Sequence, residues 1–438
     1  MKKYILILLL SVCSNIFLLS AQPKQQAYSL KLSPVSQHWN YEKGEDIYFQ
    51  IIGLAYDQPI NEELKMDYQF SFDGYDPLKS GTVKLKNGQA KVGPFKVKKP
   101  GFYVCKVTAV FRDEPLTAIA KTGYQVEDIV PVTPMPNDFQ AFWQEQLKEA
   151  REIPLKPKMT LLTEYCTADI DVYHIEFQNI KEEASWRGNS KMYGILNIPK
   201  NAKGKLPVIV QYPGAGVRPY AKTYDMANKG VIFLQMGIHG IPVNMNPSVY
   251  DDLATGALAG YYFQGLDHRE TYYYRRVILG CVKAIDFVER LPEADPEKIL
   301  VTGGSQGGAL SIIVTALHPA VKGVASHCPA LSDMMGWVGG QTGGWPKQFK
   351  QYDQEIHPNW TSVAPYYDVV NFAKTIKVSG FYFSGLNDRI CPPMPFFAMY
   401  NSVTAPKSLA LFPNSNHWEY PAEKVQADNW LLSFFDEQ

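Results

Sequence analysis

The stretch Val301-Thr302-Gly303-Gly304-Ser305-Gln306-Gly307-Gly308 carries an apolar strand into the helix-like run Ala309-Leu310-Ser311-Ile312-Ile313 and contains the pattern G-x-S-x-G. A serine held on a sharp strand-to-helix turn is exposed to an incoming carbonyl. The turn tolerates only small neighbours, because side chains at Gly303 and Gly307 would collide across it. A serine hydroxyl is a weak nucleophile at neutral pH, so Ser305 requires a base, and that base requires a group to orient it. Acyl transfer is therefore the chemistry to test for.

The base and its partner should follow the serine in chain order, acid first and histidine second. Four histidines lie downstream: His318, His327, His357 and His417. Of these, His417 alone follows a final strand and sits in a polar turn, Asn414-Ser415-Asn416-His417. His318 precedes Pro319 at a helix end, His327 ends a strand beside Cys328, and His357 lies in a long polar insertion; each has a structural reading. Asp388, at the end of Phe383-Ser384-Gly385-Leu386-Asn387-Asp388, falls just past a buried strand and can reach a histidine on the neighbouring loop. Asp368 fits by order but ends no strand that can be read. Glu419 is a loop-positioning or surface residue near His417. The developing oxyanion needs two donors. The backbone N–H of Gln306 comes with the turn, and Ala215 N–H in Pro213-Gly214-Ala215-Gly216 is the candidate for the second.

These residues need a frame. Leu206–Val210, Val231–Leu234, Ile299–Val301, Gly323–Ala325, Phe381–Phe383 and Leu409–Leu411 read as strands buried on both faces. Between them Val277, Cys281, Ile285 and Val288 recur at helical spacing within Tyr274–Leu291. This is α/β architecture with a mostly parallel central sheet over residues 137–438. It begins with a helix that Asn137 can cap and that places Phe139, Phe142, Trp143 and Leu147 on one face. Residues 28–126 read instead as an all-β, immunoglobulin-like sandwich: Met66, Tyr68, Phe70 and Phe72 alternate with polar residues, and Asn87-Gly88 signals a type I′ hairpin. Residues 127–136, with Pro131, Pro134 and Pro136, read as a stiff connector.

At 438 residues with 46% hydrophobic and 13% aromatic content, the chain should fold as at least two domains. Lys+Arg and Asp+Glu both total 43, with no dense basic block, which argues against a nucleic-acid partner. Residues 1–21 combine Lys2-Lys3, an apolar run and a small-residue end, the pattern of a secretory signal. The expected location is periplasmic or extracellular. Ser11, Cys13, Ser14 and Asn15 interrupt the run too early for a membrane span. Val12 fits poorly before a lipid-modified Cys13, and no later segment spans a bilayer. The other five cysteines are scattered, without the close pairs of a zinc site, and read mostly as small buried hydrophobes.

Taken together, these motifs resemble the acetyl xylan esterase and cephalosporin C deacetylase family, carbohydrate esterase family seven, within the α/β-hydrolase superfamily. The likeness covers roughly residues 135–438. Its elements are Pro136-Asn137-Asp138-Phe139 with Phe142-Trp143, Thr271-Tyr272-Tyr273-Tyr274-Arg275-Arg276, Gly303 through Gly308, and Gly385-Leu386-Asn387-Asp388 with Cys391-Pro392-Pro393. The resemblance implies a serine esterase that removes acetyl groups from carbohydrates such as xylan or xylo-oligosaccharides, without metal or cofactor, using Ser305, Asp388 and His417. It also implies a homo-oligomer, a ring-like hexamer that the added amino-terminal β domain would obstruct. The chain departs from the family pattern at three places. His239-Gly240-Ile241 stands for Arg-Gly-Gln, Pro213-Gly214-Ala215 for His-Gly-Tyr, and His417-Trp418-Glu419 for His-Glu. The competing readings are a prolyl-oligopeptidase-like peptidase and a non-catalytic glycan-binding protein. Tyr261-Tyr262-Phe263 and Trp337 through Trp345 are either pocket-lining or core.

Overall fold

The computed structural model describes residues 27–36, 38–75, 77–181, 189–220, 222–413, 415–417 and 420–436. The signal-like residues 1–21, and Asn414, Trp418 and Glu419, lie outside the described residues. The chain divides into two compact units, one of the residues up to Lys98 with Tyr103–Thr122, the other of Lys99–Phe102 with Gly123–Gln438.

The first unit is all-β, a four-stranded and a five-stranded sheet. In Leu64–Phe72 the alternation holds at Met66 and Phe70, which are buried, and at Asp67 and Gln69, which are exposed. Phe70 stacks on Phe95 of the other sheet at 3.9 Å between ring centroids and on Tyr103 at 5.4 Å, so aromatic rings fill the space between the layers. Asn87 and Gly88 both take positive φ, 52° and 73°, as a type I′ turn demands.

The second unit holds a nine-stranded sheet. Its strands run, edge to edge, Lys158–Leu161, Ile170–Lys181, Asn189–Pro199, Ile232–Gly237, Leu206–Tyr212, Ala294–Gly304, Val321–His327, Ser379–Gly385 and Lys407–Phe412. The last six are mutually parallel and include every strand expected from buried runs. The first three pair antiparallel, and periodicity did not reveal them. Leu206–Tyr212 has its chain successor, Ile232–Gly237, on one side and Ala294–Gly304 on the other. The direction of winding reverses there, and the carboxyl ends of such strands open a crevice.

The helix Gln306–Leu317 is buried at ten of its positions, Gln306 to Thr315. Tyr273–Val288 buries Tyr274, Val277, Ile278, Cys281 and Ile285. The carboxyl-terminal helix Pro421–Asp436 adds Ala427 and Leu431 to a cluster with Ile209, Phe233, Leu300 and Phe381. The entry helix is Phe139–Glu152 and differs from expectation at its start: Asp138, not Asn137, flanks it, and no side chain caps it. The Asp138 carboxylate is instead engaged by Tyr366 and, at 2.7 Å, by Arg269. Gln146 rather than Leu147 completes the buried face, because it accepts from Arg275.

Residues 127–136 belong to the second unit. Asp333 Oδ1 accepts from the N–H groups of Val132 and Thr133, both at 2.8 Å. Asp368, the second-ranked acid, caps the short helix Val369–Ala373 and accepts from Thr133 Oγ1 at 2.8 Å and from the N–H groups of Asp333 and Met334 at 2.8 and 2.6 Å. It therefore organises backbone. Among the described residues no helix is long and apolar enough to cross a membrane.

Candidate active site

Ser305 stands between the strand Ala294–Gly304 and the helix Gln306–Leu317 with φ 57° and ψ −122°. A left-handed φ on a residue with a Cβ costs of order 1–3 kcal/mol and persists only where neighbours hold it. Here they do: Ser305 N–H donates to His327 O at 2.9 Å, and Ser305 O accepts from Ala309 and Ala330 N–H, both at 3.0 Å. A Cβ on Gly303 would lie 2.5 Å from Gly307 carbonyl atoms, the collision expected across the turn. One on Gly307 would meet Tyr212 O at 2.1 Å, so the neighbouring strand end also enforces glycine.

Asp388 and His417 follow the adjacent parallel strands Ser379–Gly385 and Lys407–Phe412, which brings their loops together. Asn387 N–H donates to Ser415 O at 3.0 Å. His417 Nδ1 lies 2.6 Å from Asp388 Oδ2. The other oxygen, Oδ1, accepts from Ile390 and Cys391 N–H at 2.7 and 2.9 Å, which fixes the carboxylate plane. An ionised carboxylate only accepts, so the imidazole proton sits on Nδ1.

Two thiols flank the site, Cys391 from the motif that carries Asp388 and Cys328, which the sequence did not connect with it. Cys391 Sγ is 3.9 Å from Ser305 Oγ. Cys328 Sγ, the Asp388 carboxylate and the His417 ring lie within 4.8 Å of one another. Such a trio has metal-ligand character, but the 2.6 Å hydrogen bond already uses His417 Nδ1. Both cysteines are buried and free, and burial pushes both thiols well above their usual range. They are neutral walls of the site rather than competing nucleophiles.

The loop after Leu206–Tyr212 runs beside the turn. Gln306 Oε1 accepts from Tyr261 Oη at 2.6 Å and Tyr274 Oη at 2.7 Å, and Gln306 Nε2 donates to Pro213 O at 3.3 Å. Among the described residues, no acceptor meets the backbone N–H of Gln306 or of Ala215. A cavity of about 820 Å³ adjoins Gly303 and Gly304 and extends past His327 to Lys424 and Asp428 of the carboxyl-terminal helix; Ser305, Asp388 and His417 are not among its lining residues.

Residues 123–434 match the family model described as acetyl xylan esterase (AXE1). The chain belongs to the acetyl xylan esterase family. It is thus a carboxylic ester hydrolase. Along 415 residues, 93% of this chain and 91% of the other, it is 34% identical to the acetyl esterase Axe7A of Xylanibacter ruminicola. The structure is also similar to an acetyl xylan esterase from Paenibacillus sp. R4, at TM-score 0.60 and 26% identity over 70% of this chain and 98% of that one. Acetyl xylan esterase 1 from Thermoanaerobacterium sp. JW/SL YS485 has the same fold, at TM-score 0.60 and 24% identity over 70% and 97%.

Within this member of the acetyl xylan esterase family the remaining downstream histidines have partners elsewhere. His318 Nε2 faces Asp286 at 3.2 Å, His327 Nε2 faces Glu423 at 3.1 Å and stacks on Phe383, and His357 stacks on Trp360 at 3.7 Å. His239 is buried beside the 213–216 loop with Nε2 3.0 Å from Gly216 O and Nδ1 2.7 Å from Tyr273 Oη. The departure of its motif from the family pattern marked His239 in the sequence, and Tyr261 stood among the residues read as pocket-lining or core; nothing marked Cys328 as a neighbour of the site.

Proposed function

We propose that Ser305, His417 and Asp388 hydrolyse acetyl esters of carbohydrates through an acyl-enzyme. The supporting observation is the 2.6 Å contact between His417 Nδ1 and Asp388 Oδ2 on the strand ends beside Ser305. With Nδ1 committed to Asp388, Nε2 takes the proton of Ser305 Oγ as that oxygen attacks the acetyl carbonyl. The carbonyl oxygen becomes negative and is met by the N–H groups of Gln306 and Ala215. Nε2 then returns its proton to the departing sugar oxygen, leaving an acetyl group on Ser305. Water, deprotonated by the same nitrogen, releases acetate and restores the hydroxyl.

Xylan or xylo-oligosaccharides are the proposed substrates, in keeping with the family and with the named activity of its relatives. Since such polymers lie outside the cell, the signal-like residues 1–21 fit export to the periplasm or beyond.

The experiment is acetate release from acetylated xylan, acetylated xylo-oligosaccharides and glucose pentaacetate, with Ser305→Ala as control. Ser305→Ala should lose about a million-fold in kcat, the scale for removing a triad nucleophile. Acetate release by Ser305→Ala at the native rate would refute the mechanism. Inactivity of the native protein on all three substrates would refute the substrate class.

A further inference from the structure

We infer that His239, with Tyr261, is a positioning residue for ester hydrolysis: the two hold the 214–216 loop so that Ala215 N–H faces the oxygen that becomes negative. This rests on the proposed attack by Ser305 and on Ala215 as the second oxyanion donor.

A trans peptide is a rigid plane whose C=O and N–H point to opposite sides, so holding one end of the plane aims the other. Gly214 O accepts from Arg218 Nη2 at 3.3 Å, which turns the Ala215 N–H of the same plane away from the guanidinium. In the next plane, Ala215 O accepts from Arg218 Nη1 at 2.7 Å, and Gly216 N–H, on the opposite side, donates to Tyr261 Oη at 3.4 Å. In the plane after that, Gly216 O faces His239 Nε2 at 3.0 Å. Three successive planes thus have a side-chain hold. Arg218 is exposed, whereas His239 and Tyr261 are buried, so the holds that solvent cannot loosen are the inner two.

The role of His239 follows from hydrogen-bond arithmetic. A carbonyl only accepts, so Nε2 carries the proton, and the Nδ1 lone pair accepts from Tyr273 Oη at 2.7 Å. Burial, reinforced by the positive charges of Arg276 and Arg218, pushes the imidazole down to about 4, which keeps this neutral tautomer in place at neutral pH. Tyr261 completes the frame: its hydroxyl accepts from Gly216 N–H and donates to Gln306 Oε1 at 2.6 Å, and Gln306 carries the other candidate donor. Both donors therefore hang on one hydrogen-bonded frame. A neutral histidine thus makes the inner contact to the loop.

The test is kcat and KM on p-nitrophenyl acetate for the full chain carrying His239→Leu, His239→Gln, Tyr261→Phe or Ser305→Ala, each with a thermal melt. His239→Leu should lower kcat about 10- to 100-fold with KM nearly unchanged, since misaiming a donor harms the transition state more than the bound ester. His239→Gln, whose amide N–H can donate to Gly216 O, should recover most of that loss. The inference is overturned if His239→Leu keeps its kcat within about twofold, if KM rises as much as kcat falls, or if His239→Gln is no better than His239→Leu. Should His239→Leu fail to fold, Tyr261→Phe, which removes one hydroxyl, decides by the same kcat criterion. If Ser305→Ala is as active as the native chain, the reading of the nucleophile fails. If Ser305→Ala is dead and His239→Leu is unaffected, the positioning inference alone fails.

Discussion

Replacing Asp388 by Asn changes one atom and should disable the base without disturbing the fold. Oδ1 of Asp388 accepts two backbone N–H groups, from Ile390 and Cys391 at 2.7 and 2.9 Å. In Asp388→Asn the amide oxygen must take that place, because an NH2 there would face two donors. The NH2 is then forced into the Oδ2 position, 2.6 Å from His417 Nδ1. His417 can satisfy it only by presenting a lone pair at Nδ1, which moves the imidazole proton to Nε2. That nitrogen can no longer take a proton from Ser305. The expected loss is about ten-thousand-fold in kcat, the scale for a wrong-tautomer histidine in such a triad. It corresponds to about 5 kcal/mol of barrier. The assay is p-nitrophenyl acetate hydrolysis at pH 7, with a thermal melt to establish that the variant is folded. A folded Asp388→Asn chain that retains more than about a tenth of native kcat would refute the tautomer argument, and with it the role of Asp388.

Three further outcomes are expected. Gly307→Ala places a methyl 2.1 Å from Tyr212 O and should cost more than about 3 kcal/mol or prevent folding, read from urea denaturation; a native-like midpoint would contradict the described turn. Lys283 Nζ donates to Ala150 O, Ile153 O and Asn179 O at 2.9, 2.7 and 2.7 Å, tying the end of the entry helix to the sheet. Lys283→Met leaves those carbonyls unpaired and should lower stability by about 1–3 kcal/mol, with a denaturation midpoint within error of native as the contrary result. His239, held down to about 4 against an ordinary value near 6.5, binds a proton in the unfolded chain before it does so in the folded one. Its contribution is complete above pH 6.5 and is lost as pH falls toward 4, up to roughly 3 kcal/mol. Native protein should therefore lose stability over that window faster than His239→Gln does, and parallel stability curves would contradict it.

Much of this protein was legible in the chain because the governing interactions are local. The G-x-S-x-G turn, the apolar runs that became six parallel strands, and Asn87-Gly88 with two positive φ angles each express a short-range constraint that residue types reveal. The neighbouring loops of Asp388 and His417 could be read for the same reason, since each follows a recognisable strand. The antiparallel strands Lys158–Leu161, Ile170–Lys181 and Asn189–Pro199 escaped notice because pairing, not periodicity, makes them a sheet edge. Asn137 failed as a cap because Asp138 occupies the flanking position and answers to Arg269, a residue far along the chain.

What only the tertiary structure decided is who faces whom. Cys391 beside Ser305, Tyr261 and Tyr274 on one amide oxygen of Gln306, and His239 against Gly216 join segments separated by 23 to 86 residues. No spacing rule links such pairs. Their encounter follows from the sheet order, which places the end of Leu206–Tyr212 beside the end of Ala294–Gly304 and gathers the intervening loops over both.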